Sequence, residues 1–262
     1  MFFSFFGRTH PLMKYFIRLA LAAFALLLFM VRNAFAEKLN KQTIHLASEK
    51  PFDPFQLLFI ADIHRRTIKA DLIDFPIDLI VIGGDLVEKG VPLKRVAENI
   101  KNLTAIAPVY FVWGNNDREV DETSLRKIFA HYGVTVLDDE SVSLFGNSRL
   151  KLVGLDHFAY KPDGFDNAFK AVEVGDTVLF VSHTPFDFWK IKGPYSAELL
   201  LAGHTHGGQI RIGPFGLFKK GSLKVKEDRV ELISNGFGTT TLHLRLGAPA
   251  EFHVLTIKPK LK

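Results

Sequence analysis

Five short apolar runs in this sequence each stop at residues whose side chains can bind metal ions. The runs are rich in β-branched and aromatic residues, which is typical of strands that are buried on both faces. They are residues 56–61 before Asp62 and His64, 78–82 before Asp85, 109–113 before Asn115, 177–181 before His183, and 199–202 before His204 and His206. A single Asp or His after a strand is usually a turn residue or a helix cap. Five clusters in this order are not explained by turn chemistry.

Helix-like stretches separate several of these runs, notably residues 93–106 and 122–132. Strands that alternate with helices predict a layered α/β fold. In such folds, ligands bind beyond the carboxyl ends of the strands. We therefore expect the five polar clusters to converge on one edge of one sheet.

The residue types at these strand ends suit a pair of metal ions. Carboxylate, amide and imidazole groups bind Mn, Fe, Zn or Mg. The chain has no cysteine, so a metal can be held only by nitrogen and oxygen ligands. The side chains exceed the needs of one ion, whereas two ions about 3.5–4 Å apart can clamp a phosphoryl oxygen. We expect two divalent ions, with Mn favoured.

The order and spacing of these motifs resemble those of the calcineurin-like metallophosphoesterases, over roughly residues 41–258. The matching residues are Asp62-x-His64, Gly84-Asp85, Gly114-Asn115-Asn116-Asp117, His183 and Gly203-His204-Thr205-His206. The resemblance implies an enzyme with a four-layer α-β-β-α sandwich, in which a metal-bridging hydroxide attacks the phosphoester. It also implies that Asp85 bridges two ions, one held by Asp62, His64 and His206 and the other by Asn115, His183 and His204.

Later motifs narrow the resemblance to one branch of this superfamily. Residues 203–209 (GHTHGGQ), 235–240 (NGFGTT) and 245–251 (RLGAPAE) are similar to those of the YkuE-type phosphohydrolases and the chlamydial-type UDP-2,3-diacylglucosamine hydrolases of lipid A synthesis. In these proteins too, a hydrophobic segment precedes the catalytic domain. The branch implies a lipid-linked nucleotide as the substrate.

One position departs from the pattern of the family. The third motif usually carries a His that contacts phosphate and protonates the leaving group, and this chain has Asn116 instead. An amide cannot act as an acid at neutral pH, and the loss of a general acid costs about 10²–10⁴-fold in rate. We therefore expect hydrolysis of phosphodiester or pyrophosphate bonds. The alternatives are an exported general phosphatase and a non-catalytic metal-binding scaffold.

Other residues near these motifs are candidates for catalysis or substrate binding. Asp117, which would orient the missing His, is a catalytic candidate with Asn116, and its alternative role is to cap the following helix. Arg65 and Arg66 follow the first ligand motif and could bind substrate phosphate, or be surface charges. Asp156 and His157 end another apolar run and could support the metal ligands. Arg211 is a weaker phosphate candidate.

The first 36 residues are predicted to be a signal peptide or a membrane anchor, followed by a metallophosphoesterase domain over residues 37–262. Residues 19–31 are apolar and uncharged, and Ala34-Phe35-Ala36 fits a signal-peptidase site. An anchor would need about 20 apolar residues, which residues 15–17 could help to supply. We expect the protein to be located at the bacterial inner membrane or in the cell envelope. Basic residues flank the apolar segment on both sides, so they do not predict on which side of the membrane the domain lies.

Most of the excess positive charge also lies in this segment. The net charge is +5, and residues 1–36 carry four basic residues and no acid. The rest of the chain is nearly neutral, so nucleic acid is not expected as a partner.

Apolar side chains beside lysines follow two of the ligand motifs. They are Phe186, Phe188 and Trp189, and then Phe215, Leu217 and Phe218 beside Lys219 and Lys220. Such side chains could hold acyl chains or lie on a membrane. The alternative is ordinary packing in the core or in loops.

Overall fold

The apolar runs form strands of two six-stranded sheets in the computed structural model, which describes residues 11–261. The first sheet contains β1 (Lys38–Ser48), β2 (Phe55–Ile60), β3 (Leu79–Ile82), β4 (Val109–Phe111), β5 (Thr135–Val136) and β14 (Glu251–Leu261). The second contains β6 (Glu140–Leu144), β7 (Asn147–Leu155), β8 (Thr177–Ser182), β9 (Leu199–Ala202), β12 (Ser222–Val225) and β13 (Val230–Ile233). A small hairpin of β10 (Arg211–Ile212) and β11 (Phe215–Gly216) stands apart from both sheets.

Parallel pairing brings the carboxyl ends of the ligand-bearing strands to one side of each sheet. The first sheet has the order β1-β14-β2-β3-β4-β5, and β2, β3, β4 and β5 pair in parallel. The second has the order β12-β13-β9-β8-β7-β6, and β7, β8, β9 and β13 pair in parallel.

Four α-helices and several short 3-10 turns complete the described fold; the α-helices are α1 (Pro11–Ala34), α2 (Leu93–Thr104), α3 (Glu122–Tyr132) and α4 (Gly164–Phe169). Alternate residues of each central strand enter different hydrophobic clusters. Leu58 and Ile60 of β2 pack with α2 and α3, whereas Leu57 and Phe59 pack against the second sheet. The outer face of the second sheet packs on Phe169 of α4. These layers confirm the four-layer α-β-β-α sandwich.

The expectation that all five clusters meet on one sheet was wrong. β2, β3 and β4 belong to the first sheet, and β8 and β9 belong to the second. Nearly all residues on both faces of these strands are buried, so the apolar pattern is the same in either sheet. The site therefore lies across the ends of two sheets that are packed face to face.

α1 is a 24-residue helix whose apolar side chains are mostly exposed. It is long and apolar enough to cross a membrane. A signal sequence passes the same test, so length alone does not separate the two predictions. The end of α1 is joined to the rest of the fold. The N–H groups of Arg245 and Ala250 donate to the carbonyl oxygens of Met30 and Asn33, both at 3.0 Å. Ala34 is buried.

Candidate metal centre

The ligand-bearing loops have an uncommon backbone conformation. Five of the seven predicted ligands adopt a positive φ, with values of 55° for Asp62, 52° for His64, 51° for Asp85, 69° for His204 and 49° for His206. Residues other than glycine rarely adopt this conformation, which costs of order 1–3 kcal/mol each and clusters at functional sites. The strained backbone at these five residues is therefore consistent with loops that hold their side chains in a functional site.

The first ligand set lies at the ends of β2 and β9. The two Nε2 atoms of His64 and His206 are 3.2 Å apart, and His206 Nε2 is 3.3 Å from Asp62 Oδ1. All three residues are buried. One donor atom from each lies within 4.8 Å of the other two, which is the spacing of side chains that can hold one ion.

The second set lies beside the first and contains Asp85, His183 and His204. His183 Nε2 is 3.3 Å from Asp85 Oδ2 and 3.2 Å from His204 Nδ1. The same Asp85 oxygen is 3.8 Å from His64 Nε2 of the first set. One carboxylate oxygen therefore faces ligands of both sets.

The seventh predicted ligand supplies an unpaired oxygen. Asn115 Oδ1 is buried and has no hydrogen-bond partner among the described residues. An unpaired buried acceptor is costly unless a cation or donor meets it. The Asn115 oxygen and the neighbouring imidazoles and carboxylates together form a set of nitrogen and oxygen donors that fits two divalent ions.

The charges within the site compete for protons. Burial disfavours the charged form of His183, but Asp85, Asp62 and the Gly83 carbonyl oxygen together outweigh burial and raise the pKa of His183 to about 10. Burial and the nearby His183 lower the pKa of His204 to about 4, and burial together with His64 holds the pKa of His206 well below its usual value. His204 and His206 are therefore neutral at pH 7, which is the form of imidazole that binds metals.

Three supporting contacts orient the imidazoles. Glu88 Oε2 is 3.2 Å from His64 Nδ1, the carbonyl oxygen of Gly83 is 2.7 Å from His183 Nδ1, and Arg245 Nη2 is 3.0 Å from His206 Nδ1. An acceptor opposite Nδ1 sets the ring orientation of a metal-binding His, which applies to His64 and His183. Arg245 can only donate, so the Nδ1 of His206 accepts this hydrogen bond. Sequence analysis did not identify Glu88 or the contact of Arg245.

Arg245 explains why the late motifs accompany the metal loops. Its fully buried guanidinium donates to the carbonyl oxygens of Asn235, Gly238 and Ala248. Asn235 in turn donates from its backbone and its side chain to Glu251 Oε1, at 3.0 and 2.7 Å. The motifs at residues 235–240 and 245–251 thus form one support behind His206.

Asn116 and Asp117 both contact the Asp85 loop. Asn116 donates from Nδ2 to Asp85 Oδ2 at 2.6 Å and from its backbone to Oδ1 at 2.8 Å. The buried Asp117 accepts from the backbone N–H groups of Asp85, Val87 and Gly114. The expected alternative of a helix cap was wrong for Asp117, because Asp121 caps α3 by accepting from the N–H of Thr123.

The two candidate phosphate-binding arginines have different surroundings. The Arg65 side chain is 49% exposed and pairs with Glu88 beside His64. The Arg66 side chain is only 10% exposed and donates to the carbonyl oxygens of Ala36 and Phe237 at 2.7 and 2.9 Å. Arg66 therefore joins the end of α1 to the ligand loops, and only Arg65 keeps donors at the surface.

Other predicted residues surround the second ligand set. Asp156 is buried and pairs with Arg118, which stacks on Trp113 at 4.4 Å. His157 Nδ1 lies 2.9 Å from Asp187 Oδ1, and Asp187 also accepts from Ser182 Oγ at 2.5 Å. Sequence analysis missed Asp187, which is ordinary by residue type and position.

The remaining predicted residues lie in two loops near the site. Arg211 is buried, and its guanidinium donates to backbone carbonyl oxygens, which is a structural role. Phe188 belongs to the core. The other apolar residues of the two loops are exposed: Phe186, Trp189, Phe215, Leu217 and Phe218.

Comparisons with known proteins place this site in a family. The sequence profile of the Calcineurin-like phosphoesterase family matches residues 55–208. The chain is 39% identical to the uncharacterised protein YpbG of Bacillus subtilis, over 91% of this chain and 95% of that protein. It is 29% identical to the phosphodiesterase YaeI of Escherichia coli, over 74% and 75% of the two chains. It is 25% identical to the uncharacterised metallophosphoesterase YkuE of Bacillus subtilis, over 79% and 80%.

The family profile covers more than half of the chain and spans all five ligand motifs. The two sets of imidazole and carboxylate groups meet the requirement of this family for divalent metals. The chain therefore belongs to the calcineurin-like phosphoesterase family and is a metal-dependent phosphohydrolase.

Proposed function

We propose that this enzyme hydrolyses a phosphodiester or pyrophosphate bond in a lipid-linked substrate, of which UDP-2,3-diacylglucosamine is an example. The observation that carries the proposal is the side chain of Asn116. It lies against Asp85, at the position where the family usually has a proton-donating His. The name of the phosphodiesterase YaeI supports a diester.

The position of Asn116 selects the leaving group. Its Nδ2 already donates to Asp85, and an amide has no proton to release near pH 7. A nucleotide phosphate leaves as a stable anion without protonation, whereas a simple alkoxide does not. Bonds of the first kind therefore suit this site best.

We assign the metal ligands as the motif order indicated. One ion would be held by Asp62, His64 and His206, the other by Asn115, His183 and His204, and both by Asp85. Two such ions, with Mn favoured, supply Lewis acidity and lower the pKa of a bound water. Asn116 and Asp117 keep the Asp85 loop in place, and the exposed donors of Arg65 are positioned to bind a substrate phosphate.

A cavity supports the lipid-linked substrate. It has a volume of about 450 Å³ and lies between the end of α1 and the His64 loop, where Ala34, Phe35, Arg65, Arg95 and His243 line it. Arginines favour a phosphate group, and the neighbouring apolar helix end favours an acyl chain. The phosphate group of a phospholipid-like molecule would thus contact the arginines, and its acyl chain would contact the apolar end of α1.

We propose that residues 1–36 are a retained anchor and that residues 37–262 form the catalytic domain, placed at the bacterial inner membrane. The support is the environment of the predicted cleavage site. Ala34 is buried, and Arg66 binds the carbonyl oxygen of Ala36. Cleavage there would remove contacts of the folded domain. A UDP-linked substrate requires the cytoplasmic face.

The test is hydrolysis by the full-length chain in detergent with Mn²⁺ added. A nitrophenyl phosphodiester is compared with the matching monoester, and Asp85→Ala is the control. Diester turnover that Asp85→Ala abolishes supports the proposal, and UDP-2,3-diacylglucosamine is tested next. Monoester turnover as fast as diester turnover would refute the role given to Asn116.

His157 favours a second candidate, an exported general phosphatase. Its ring is 31% exposed and backed by Asp187, and the ring of the adjacent Phe158 lies 5.8 Å from His183 and 5.7 Å from His204. A His at this position can supply the proton that Asn116 lacks. In this case His157→Asn lowers monoester turnover and leaves diester turnover unchanged. Equal loss of both activities would count against a proton donor.

A further inference from the structure

We propose that the β10–β11 hairpin is a second membrane contact, which presses the metal cleft against an anionic phospholipid bilayer. The hairpin surface consists of Ile210, Ile212, Phe215, Leu217 and Phe218. Ile212, Phe215 and Leu217 are 75%, 76% and 84% exposed. Isolated exposed apolar residues are common, but five within nine residues are a concentration that marks a contact with another apolar phase.

The hairpin is rigidly attached to the metal site. The buried Arg211 donates to the carbonyl oxygen of Gly207 at 2.9 Å and to that of Pro214 at 2.7 Å, which joins the ligand loop to the hairpin turn. The backbone N–H of Gln209 donates to the carbonyl oxygen of His206 at 2.9 Å. Hydrogen bonds therefore link the hairpin directly to the loop that carries His206.

The hairpin is also joined to the end of α1. Arg211 and Leu246 pair through a backbone hydrogen bond of 2.8 Å, and the neighbouring Arg245 donates from its backbone to Met30 of α1 at 3.0 Å. Gln209 donates from Nε2 to the carbonyl oxygen of Leu242 at 2.9 Å, and the side chain of Leu242 is also exposed. Hydrogen bonds through residues 242–246 therefore join the hairpin to the end of α1.

The charges next to the hairpin identify the partner. Lys219 and Lys220 directly follow the apolar residues and are exposed, and Arg32 lies in the last turn of α1. Apolar side chains bordered by lysines are the composition of segments that lie at the surface of anionic membranes. An apolar helix that can span the membrane is joined to the hairpin through Arg245 and Leu246, which makes a bilayer the expected occupant. A second copy of the chain is an outcome that the test must separate.

Because the chain has no cysteine, single probes can test this surface. Leu217→Cys, Leu26→Cys and Val174→Cys are each labelled with an environment-sensitive fluorophore in full-length protein. The protein is reconstituted in vesicles of about one-third phosphatidylglycerol in phosphatidylcholine, with or without acyl-chain spin labels. Val174 is the matched control, because it is 97% exposed and precedes β8, at the end of the sheet opposite the metal loops.

We expect spin-labelled lipids to quench the label at residue 217 severalfold more strongly than the label at residue 174. Equal quenching at these two positions would overturn the proposal. A change in the fluorescence of the label at residue 217 that depends on protein concentration rather than on lipid would also overturn it, because it would indicate a second copy of the chain. The inference rests on the proposed retention of α1, which the label at residue 26 reports separately. Neither readout requires turnover, so failure of the proposed hydrolysis would be distinguishable from failure of the membrane contact.

A functional consequence separates binding from chemistry. Paired Phe215→Ser and Leu217→Ser changes should lower turnover of a substrate embedded in the vesicles at least severalfold. Turnover of the soluble nitrophenyl diester should be unchanged, because these side chains are outside the proposed ligand and substrate-binding set. If the doubly substituted variant and the wild type hydrolyse the embedded substrate equally fast, the proposed role of the hairpin is contradicted.

Discussion

The carboxylate of Asp117 accepts a hydrogen bond of 2.8 Å from the backbone N–H of Asp85, the residue that faces both ligand sets. The same carboxylate also accepts from Val87 at 3.0 Å and from Gly114 at 2.9 Å. Asp117 thus joins the loop after β3 to the loop after β4. Its pKa is raised to about 7 by burial and by the charge of Asp85.

Asp117→Asn should loosen the Asp85 loop. The amide keeps one accepting oxygen but directs an N–H₂ group towards backbone donors, and a buried donor left without a partner costs about 1–3 kcal/mol. We expect a lower melting temperature and less bound metal after dialysis, measured by elemental analysis. Asp121→Asn is the matched control, because Asn also caps helices well. Full metal content in Asp117→Asn would contradict this role.

Glu88→Gln should weaken the binding of one metal ion. Burial disfavours the charged form of His64, but Glu88, Asp85 and Asp62 together outweigh burial and raise the pKa of His64. Loss of such an orienting carboxylate typically lowers metal affinity about 10–100-fold. Titration of the metal-free enzyme with Mn²⁺ measures the change, and Glu98→Gln on the exposed face of α2 is the control. Equal affinities in the two variants would exclude Glu88 from metal binding.

The fold class and the place of the site could be predicted because both follow from local patterns. The strand runs and the helix over Glu122–Tyr132 lie where they were expected, with strand ends shifted by one or two residues. Each run ends in a polar residue, which makes its carboxyl end visible. The division into two sheets was not visible, because the apolar pattern is the same in both.

The supporting residues could not be predicted because they act across long separations in the chain. Arg245 reaches His206 from 39 residues away, and Asp187 reaches His157 from 30. Neither has a local pattern that marks its partner. Arg66 and Arg65 are adjacent and chemically alike, and only the fold buries one and leaves the other half exposed.

Asn116→His should shift the enzyme towards monoesters. A His at this position can reach the leaving group and release a proton near pH 7. A general acid contributes about 10²–10⁴-fold, so we expect a rise of at least tenfold in the ratio of monoester to diester turnover. The ratio is measured with nitrophenyl substrates at equal metal content. An unchanged ratio would mean that proton donation at this position does not limit the rate.

Glu251→Gln should reduce stability at neutral pH but not in acid. Burial opposes the charge of Glu251, but the nearby His253 ring, 3.6 Å away, and hydrogen bonds from Asn235 and Asn40 lower the pKa of Glu251 from 4.5 to about 2. A depressed pKa means that the folded state binds fewer protons than the unfolded state. This stabilisation is therefore complete above pH 4.5 and is lost as the pH falls through about 2. Its upper limit is about 3 kcal/mol, at about 1.4 kcal/mol per pKa unit. Melting temperatures of wild type and variant in detergent should thus differ at pH 7 and converge towards pH 3.

The control is Glu227→Gln, at an exposed residue, which should have the melting temperature of the wild type at either pH. If the difference between Glu251→Gln and wild type is independent of pH, the effect is due to packing rather than charge.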